Sequence, residues 1–216
     1  MITSCMRCIF LNDEKIDESK RKFLKMVSIG SAVVAFAGFV PSLSYLIPRS
    51  VGVKGFPTLT LVKPDGTPIH TSDILPNTPK IVLFEYPLLN EPNFLLNLDK
   101  NVPGGVGPKN SVVAYSAICE HLGCIPPSIK YYPPGSPEHG GYIFCACHGS
   151  TYDPFDRAKI ITGPTVLPQP MVLLTYDIAS DTYRATKMFK PVIYGHKDDL
   201  KGGSPPTTNK TIVKVL

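Results

Sequence analysis

Tryptophan is absent from the 216-residue chain, as are internal repeats and extended low-complexity tracts. Without a repeating unit, a solenoid or propeller is excluded. Neither sign of charge dominates: 22 Lys and Arg against 17 Asp and Glu leave +5, spread along the chain. That mild excess suits an acidic partner or a membrane surface and gives no ground for nucleic-acid binding. The 23 prolines, about twice ordinary usage, exclude long helices outside the N-terminal part and favour a loop-rich β domain.

One absence is local. From Met26 to Ile47, 22 positions, there is no charged residue. At 1.5 Å per residue this makes roughly 33 Å of helix, enough for a hydrocarbon core of about 30 Å. Ala35-Phe36-Ala37 is similar to a signal-peptide cleavage site, but the apolar run continues beyond it, which favours a retained transmembrane anchor over 26–47. Pro41 should kink that helix or mark its outer end. Lys15, Lys20, Arg21, Lys22 and Lys25 precede the span closely, whereas only Arg49 and Lys54 follow it at similar range. The asymmetry places residues 1–25 inside the cytoplasmic membrane and the main domain on its outer, periplasmic or extracellular face.

Residues 48–57 read as a flexible linker, with Gly52 and Gly55 and no hydrophobic period. Short β-rich runs follow at Thr58–Val62, Lys80–Tyr86, Phe94–Leu98, Ser111–Ala117, Tyr142–Ala146, Val172–Ile178, Thr182–Thr186 and Thr211–Val215. Ala179-Ser180-Asp181 is a hairpin signal between two of them. These features predict an all-β domain over 58–216, an antiparallel sandwich or small barrel, behind a single N-terminal helix.

Six cysteines remain to be explained. Cys5 and Cys8 form a C-x-x-C before the apolar span; with no second pair nearby they read as free thiols in a reducing-side tail rather than half of a metal or redox site. The other four lie in two boxes, Cys119-Glu120-His121-Leu122-Gly123-Cys124 and Cys145-Ala146-Cys147-His148-Gly149-Ser150. Two thiolates and two imidazoles suit either a structural zinc or a two-iron, two-sulfur cluster with two histidines on one iron. The extra cysteines and the residues after the second box favour iron–sulfur. Gly123 and Gly149 can take the positive φ that tight ligand loops need.

The pair C-x-H-x-G-C and C-x-C-H-G-S resembles the Rieske iron–sulfur proteins of cytochrome bc-type quinol-oxidising complexes. The resemblance runs from Cys119 to Pro170, within a cluster-binding part of about 113–170. It implies one [2Fe-2S] cluster per chain, with Cys119 and Cys145 on the inner iron and His121 and His148 on the outer. It further implies a disulfide between Cys124 and Cys147, cluster-directed hydroxyls on Ser150 and Tyr152, and a covering loop at Gly163-Pro164, Pro168 and Pro170. Cluster loops at one tip of a β domain are the implied fold. The spacer of 23 residues between His121 and Cys145 is longer than usual for the family; its excess over 126–141 reads as a surface loop beside the cluster.

By the same resemblance, the chain is the electron-transfer subunit of a quinol–cytochrome c reductase-type enzyme. Its partners would be a cytochrome b-like membrane subunit, quinol, the lipid bilayer and a cytochrome c-type or copper acceptor. His148, with His121 beside it, would contact quinol and accept a proton as the cluster accepts an electron. Residues 19–25 are also similar to a twin-arginine export signal, with Lys20 in the first arginine position. That fits a domain which folds around its cluster before crossing. The Rieske subunit of a molybdenum oxidase, such as an arsenite oxidase, and a structural zinc-binding membrane domain are the alternatives. His70, His139 and His196 read as surface residues; Tyr131 and Tyr132 suit either a docking face or loop packing.

Overall fold

In the computed structural model, residues 56–189 and 204–216 are described, together with Lys22. The expected anchor, the linker as far as residue 55, Cys5, Cys8 and His196 lie outside them. Among the described residues, no helix is long and apolar enough to cross a membrane.

Twelve strands follow one another: β1 Leu59–Val62, β2 Val82–Glu85, β3 Pro92–Asn97, β4 Val112–Ser116, β5 Ile129–Tyr132, β6 Tyr142–Cys145, β7 Ser150–Asp153, β8 Lys159–Thr162, β9 Met171–Asp177, β10 Thr182–Phe189, β11 Lys210–Ile212 and β12 Lys214–Val215. Seven of the eight expected β runs each hold one strand, and β9 turns into β10 where the hairpin signal stands. Thr211–Val215 is not one strand but two. It splits at Val213, and the halves pair with opposite edges of one sheet.

That sheet has the order β11-β1-β10-β9-β4-β3-β2-β12. β11 runs parallel to β1, and β12 runs antiparallel to β2. Buried Val213 lies between them and donates its N–H to Val62 O at 2.8 Å. One short segment thus bridges the two edges, so the sheet is nearly closed and few backbone groups remain unpaired at an edge.

A second antiparallel sheet, β5-β6-β7-β8, packs over β3 and β4. Alternation along a strand sends successive side chains to opposite faces. On β4, Val112 and Ala114 join Leu59, Leu61, Phe84 and Tyr183 inside the closed sheet. Val113 and Tyr115 face the other way, against Ile129, Ile143 and Tyr152 of the small sheet. With both faces covered, β4 is buried at every position, which explains its apolar run from Val112 to Tyr115.

The interval 126–141 departs from expectation. It is not wholly loop: β5 lies within it and pairs with β6 from Ile129↔Cys145 to Tyr132↔Tyr142. Tyr131 is buried in the core, with its hydroxyl donating to Asn77. His139 stacks on Phe144, ring centroids 3.7 Å apart, with Tyr132 at its edge. Core packing thus accounts for Tyr131, and packing within the hairpin for Tyr132. His70 is half-exposed, and its Nδ1 lies 2.9 Å from Asp181 O.

Candidate metal centre

Register brings three loops to one end of the small sheet. Ile129, Cys145 and Ser150 stand side by side on β5, β6 and β7. The loop 117–128 therefore enters β5 where the loop 146–149 joins β6 to β7. The loop 163–170 leaves the neighbouring β8 at the same end, since Thr162 pairs with Thr151.

The two boxes make the same turn. Gly123 N–H donates to Cys119 O, and Gly149 N–H donates to Cys145 O, both at 2.9 Å. The glycines hold φ at 77° and 82°, in the left-handed region that penalises a Cβ. Each turn leaves its first cysteine facing the core and its histidine facing outward. Cys119 and Cys145 are each 1% exposed; His121 is half-buried and His148 exposed. The two imidazole rings meet edge to face, with centroids 4.8 Å apart.

Cys124 and Cys147 form a disulfide across the two loops, S–S 2.08 Å. The sulfurs of Cys124, Cys145 and Cys147 lie within 4.8 Å of one another, but two of the three are committed to that bond. Among the described residues, the thiols outside that bond are Cys119 and Cys145, so the two boxes offer two sulfurs, and two imidazoles in contact with each other.

The thiols are close enough to share a hydrogen bond. Donation from Cys145 is the main reason the Cys119 thiol is pulled down to about 5, and the same bond pushes Cys145 up. Tyr152 Oη lies 3.5 Å from Cys119 Sγ. Burial, then the charge-favouring contact with Cys119, pushes the phenol up, so it stays a protonated donor toward that sulfur.

Two polar atoms here lack a protein partner of good hydrogen-bond geometry among the described residues: His121 Nδ1 and Ser150 Oγ, both buried. Buried polar atoms are rarely left so. A group carrying both metal and sulfide would satisfy them together, the imidazole nitrogen as ligand and the hydroxyl as donor to sulfur. The donor set fits an iron–sulfur group better than a lone zinc, which offers Ser150 no sulfide.

Two features of the site were not foreseen from sequence. The loop 163–170 contributes Gln169, buried among backbone groups of the first box. Two of the three loops also expose apolar side chains: Leu122, Ile125 and, at 80% exposure, Val166. Cys-His spacing marks metal donors, but it says nothing of a glutamine whose partners are all main-chain atoms.

The Rieske [2Fe-2S] domain family model matches residues 77–177, an interval that holds all three loops. The chain is 30% identical over 154 residues to the cytochrome b6-f complex iron–sulfur subunit of Chlorobaculum thiosulfatiphilum, covering 71% of this chain and 68% of that one. It is 32% identical over 114 residues to the cytochrome bc1 complex Rieske iron–sulfur subunit of Streptomyces lividans, covering 52% and 59% respectively. Among solved structures, the soluble domain of the Rieske protein II from Sulfolobus acidocaldarius superposes with a TM-score of 0.51 at 26% identity, over 74% of this chain and 89% of that one.

Proposed function

Because the chain belongs to the Rieske [2Fe-2S] family, we propose that it is the membrane-anchored iron–sulfur subunit of a cytochrome bc-type complex, taking electrons from quinol. Cys119 and Cys145 hold one iron, and His121 and His148 hold the other. The bound cluster supplies one-electron redox chemistry, at a potential that neutral imidazoles raise to roughly −150 to +300 mV, against about −400 mV for all-cysteine plant-type ferredoxins.

The residues divide the remaining work. Tyr152 donates toward Cys119 Sγ, and the Ser150 hydroxyl is available to a sulfide; both withdraw negative charge and raise the potential further. The Cys124–Cys147 bond keeps the loops from separating. The exposed ring of His148 receives the quinol hydroxyl and its proton, with His121 behind it. The single observation that carries this reading is that the same two boxes bury a pair of thiols and bring a pair of more exposed imidazoles into contact.

Leu122, Ile125 and Val166 give the same tip an apolar rim, which suits docking on a cytochrome b-like subunit around an apolar quinol. The segment 26–47 anchors the chain with its N-terminus inside, after export through the signal at 19–25. The linker 48–57 lets the domain move from the quinol site to a cytochrome c-type or copper acceptor. The relatives named as subunits of b6-f and bc1 complexes support this assignment.

The test is purification of the full chain from its native membranes. Co-purifying b-type haem and inhibitor-sensitive reduction of the cluster by quinol are the expected results. A cluster that quinol cannot reduce, in a preparation free of haem, refutes the proposal.

A further inference from the structure

The Gln169 side chain is 2% exposed and makes three hydrogen bonds, all to the strand end and loop that carry Cys119. Its Nε2 donates to Ser116 O at 2.8 Å and to Ile118 O at 3.0 Å. Its Oε1 accepts from Glu120 N–H at 3.0 Å. The residues immediately before and after Cys119 are thus held by one amide, which serves both as donor and as acceptor. No other uncharged side chain of similar length offers that combination.

The glutamine is itself fixed. Its N–H donates to Ala158 O at 3.1 Å, and Ser116 N–H donates to Pro170 O at 2.8 Å. Pro168 and Pro170 flank it and restrict the backbone. At the other end of the same loop, Gly163 lies against the backbone of the second box: a Cβ there would stand 2.5 Å from Ser150 Cα. The loop 163–170 therefore grips one box at each end. Its hold on the box at Cys119 passes through Gln169.

We propose that Gln169 is a positioning residue for the metal centre, fixing the backbone on both sides of Cys119 and thereby the direction of the Cys119 and His121 side chains. The inference rests on the ligand set proposed above. It assigns Gln169 no contact with the cluster; its influence runs through main-chain geometry.

The test compares the full-length, cluster-loaded protein with Gln169→Met, which keeps length and removes all three hydrogen bonds. Gln169→Glu serves as a second variant, retaining the acceptor for Glu120 while losing the donors to both carbonyls when ionised. In Gln169→Met, hydrogen exchange in a peptide covering 116–120 should accelerate about tenfold, with exchange in β9 and β10 unchanged. The electron-spin spectrum of the reduced protein should broaden, and cluster loss to an iron chelator should quicken about tenfold. Gln169→Glu should accelerate exchange in 116–120 at least as much as Gln169→Met, because a carboxylate oxygen would face both carbonyls, and decides the matter if Gln169→Met does not fold. Exchange and chelator rates within twofold of the unmodified protein, with an unchanged spectrum, overturn the proposal. If the unmodified protein shows no iron–sulfur signal, the ligand assignment fails and this inference falls with it. A normal signal with inert Gln169 variants sinks the inference alone.

Discussion

Tyr152 serves packing and chemistry with different atoms. Its ring fills the core between the sheets, while its hydroxyl reaches Cys119 Sγ at 3.5 Å. Tyr152→Phe preserves the first role and removes the second. A hydrogen bond to a charged sulfur stabilises the more negative, reduced state more than the oxidised one. A difference of about 1.4 kcal/mol corresponds to 59 mV for one electron. The reduction potential of Tyr152→Phe should therefore fall by about 60 mV, as read by protein-film voltammetry, with the thermal midpoint little changed. Cys124 and Cys147 illustrate a different kind of residue effect. Their bond closes a separation of 23 residues, for which the chain-entropy model gives about 3 kcal/mol. The double replacement Cys124→Ser with Cys147→Ser should lose about that much in denaturant unfolding, together with faster release of iron.

At the scale of elements, two connections carry separable loads. Gly163 holds φ at 104°, and a Cβ would also lie 2.7 Å from Gly149 O. Gly163→Ala should combine backbone strain with overpacking and destabilise by about 3 kcal/mol, with weaker metal retention, measured by unfolding and iron content. The β9–β10 hairpin turns at Asp181, whose carboxylate receives Thr71 Oγ1 at 2.5 Å and Tyr176 Oη at 3.1 Å. The Thr71 bond is the main cause holding Asp181 below its ordinary value of 3.8. A depressed carboxyl stabilises the fold above its unfolded value and loses that contribution as pH falls through its folded value. Asp181→Asn, which tolerates the left-handed backbone at φ 50°, should flatten the acid limb of stability below about pH 4. Midpoints of unfolding from pH 2 to pH 6 would check this; an unchanged acid limb would contradict it.

Sequence legibility also varies by element. β9 and β10 are readable from their composition and the turn signal between them, although Met171–Leu174 is an unbroken apolar run and the pairing shifts register between Ala185 and Lys187. β7 and β8 carry little strand signal: Ser150–Asp153 is polar and directly follows the second box, and Lys159–Thr162 has its two isoleucines side by side rather than alternating. β5 was hidden among prolines and glycines, although Ile129 and Tyr131 alternate correctly for one buried face. The proposed metal donors were legible because their chemistry is local: Cys and His at fixed offsets. Gln169 was not, because its partners are carbonyl and amide groups that every residue possesses.

On the scale of the whole molecule, the nearly closed sheet supplies a rigid base and the small sheet supplies the aim. The tail of the chain, from Lys210 to Val215, completes the base by touching both edges. Three loops from one end of the small sheet then converge, two tied by a disulfide and both held by the third. Cys119, Cys145, His121 and His148 are proposed to share one two-iron, two-sulfide cluster. Pulsed electron-spin spectroscopy of the reduced protein tests it most directly, because it counts nitrogens bonded to the centre. Two imidazole couplings in the unmodified protein, with the centre altered or lost on replacing His148, are predicted. A centre with no nitrogen coupling, or one unaffected by replacing His148, would contradict the account.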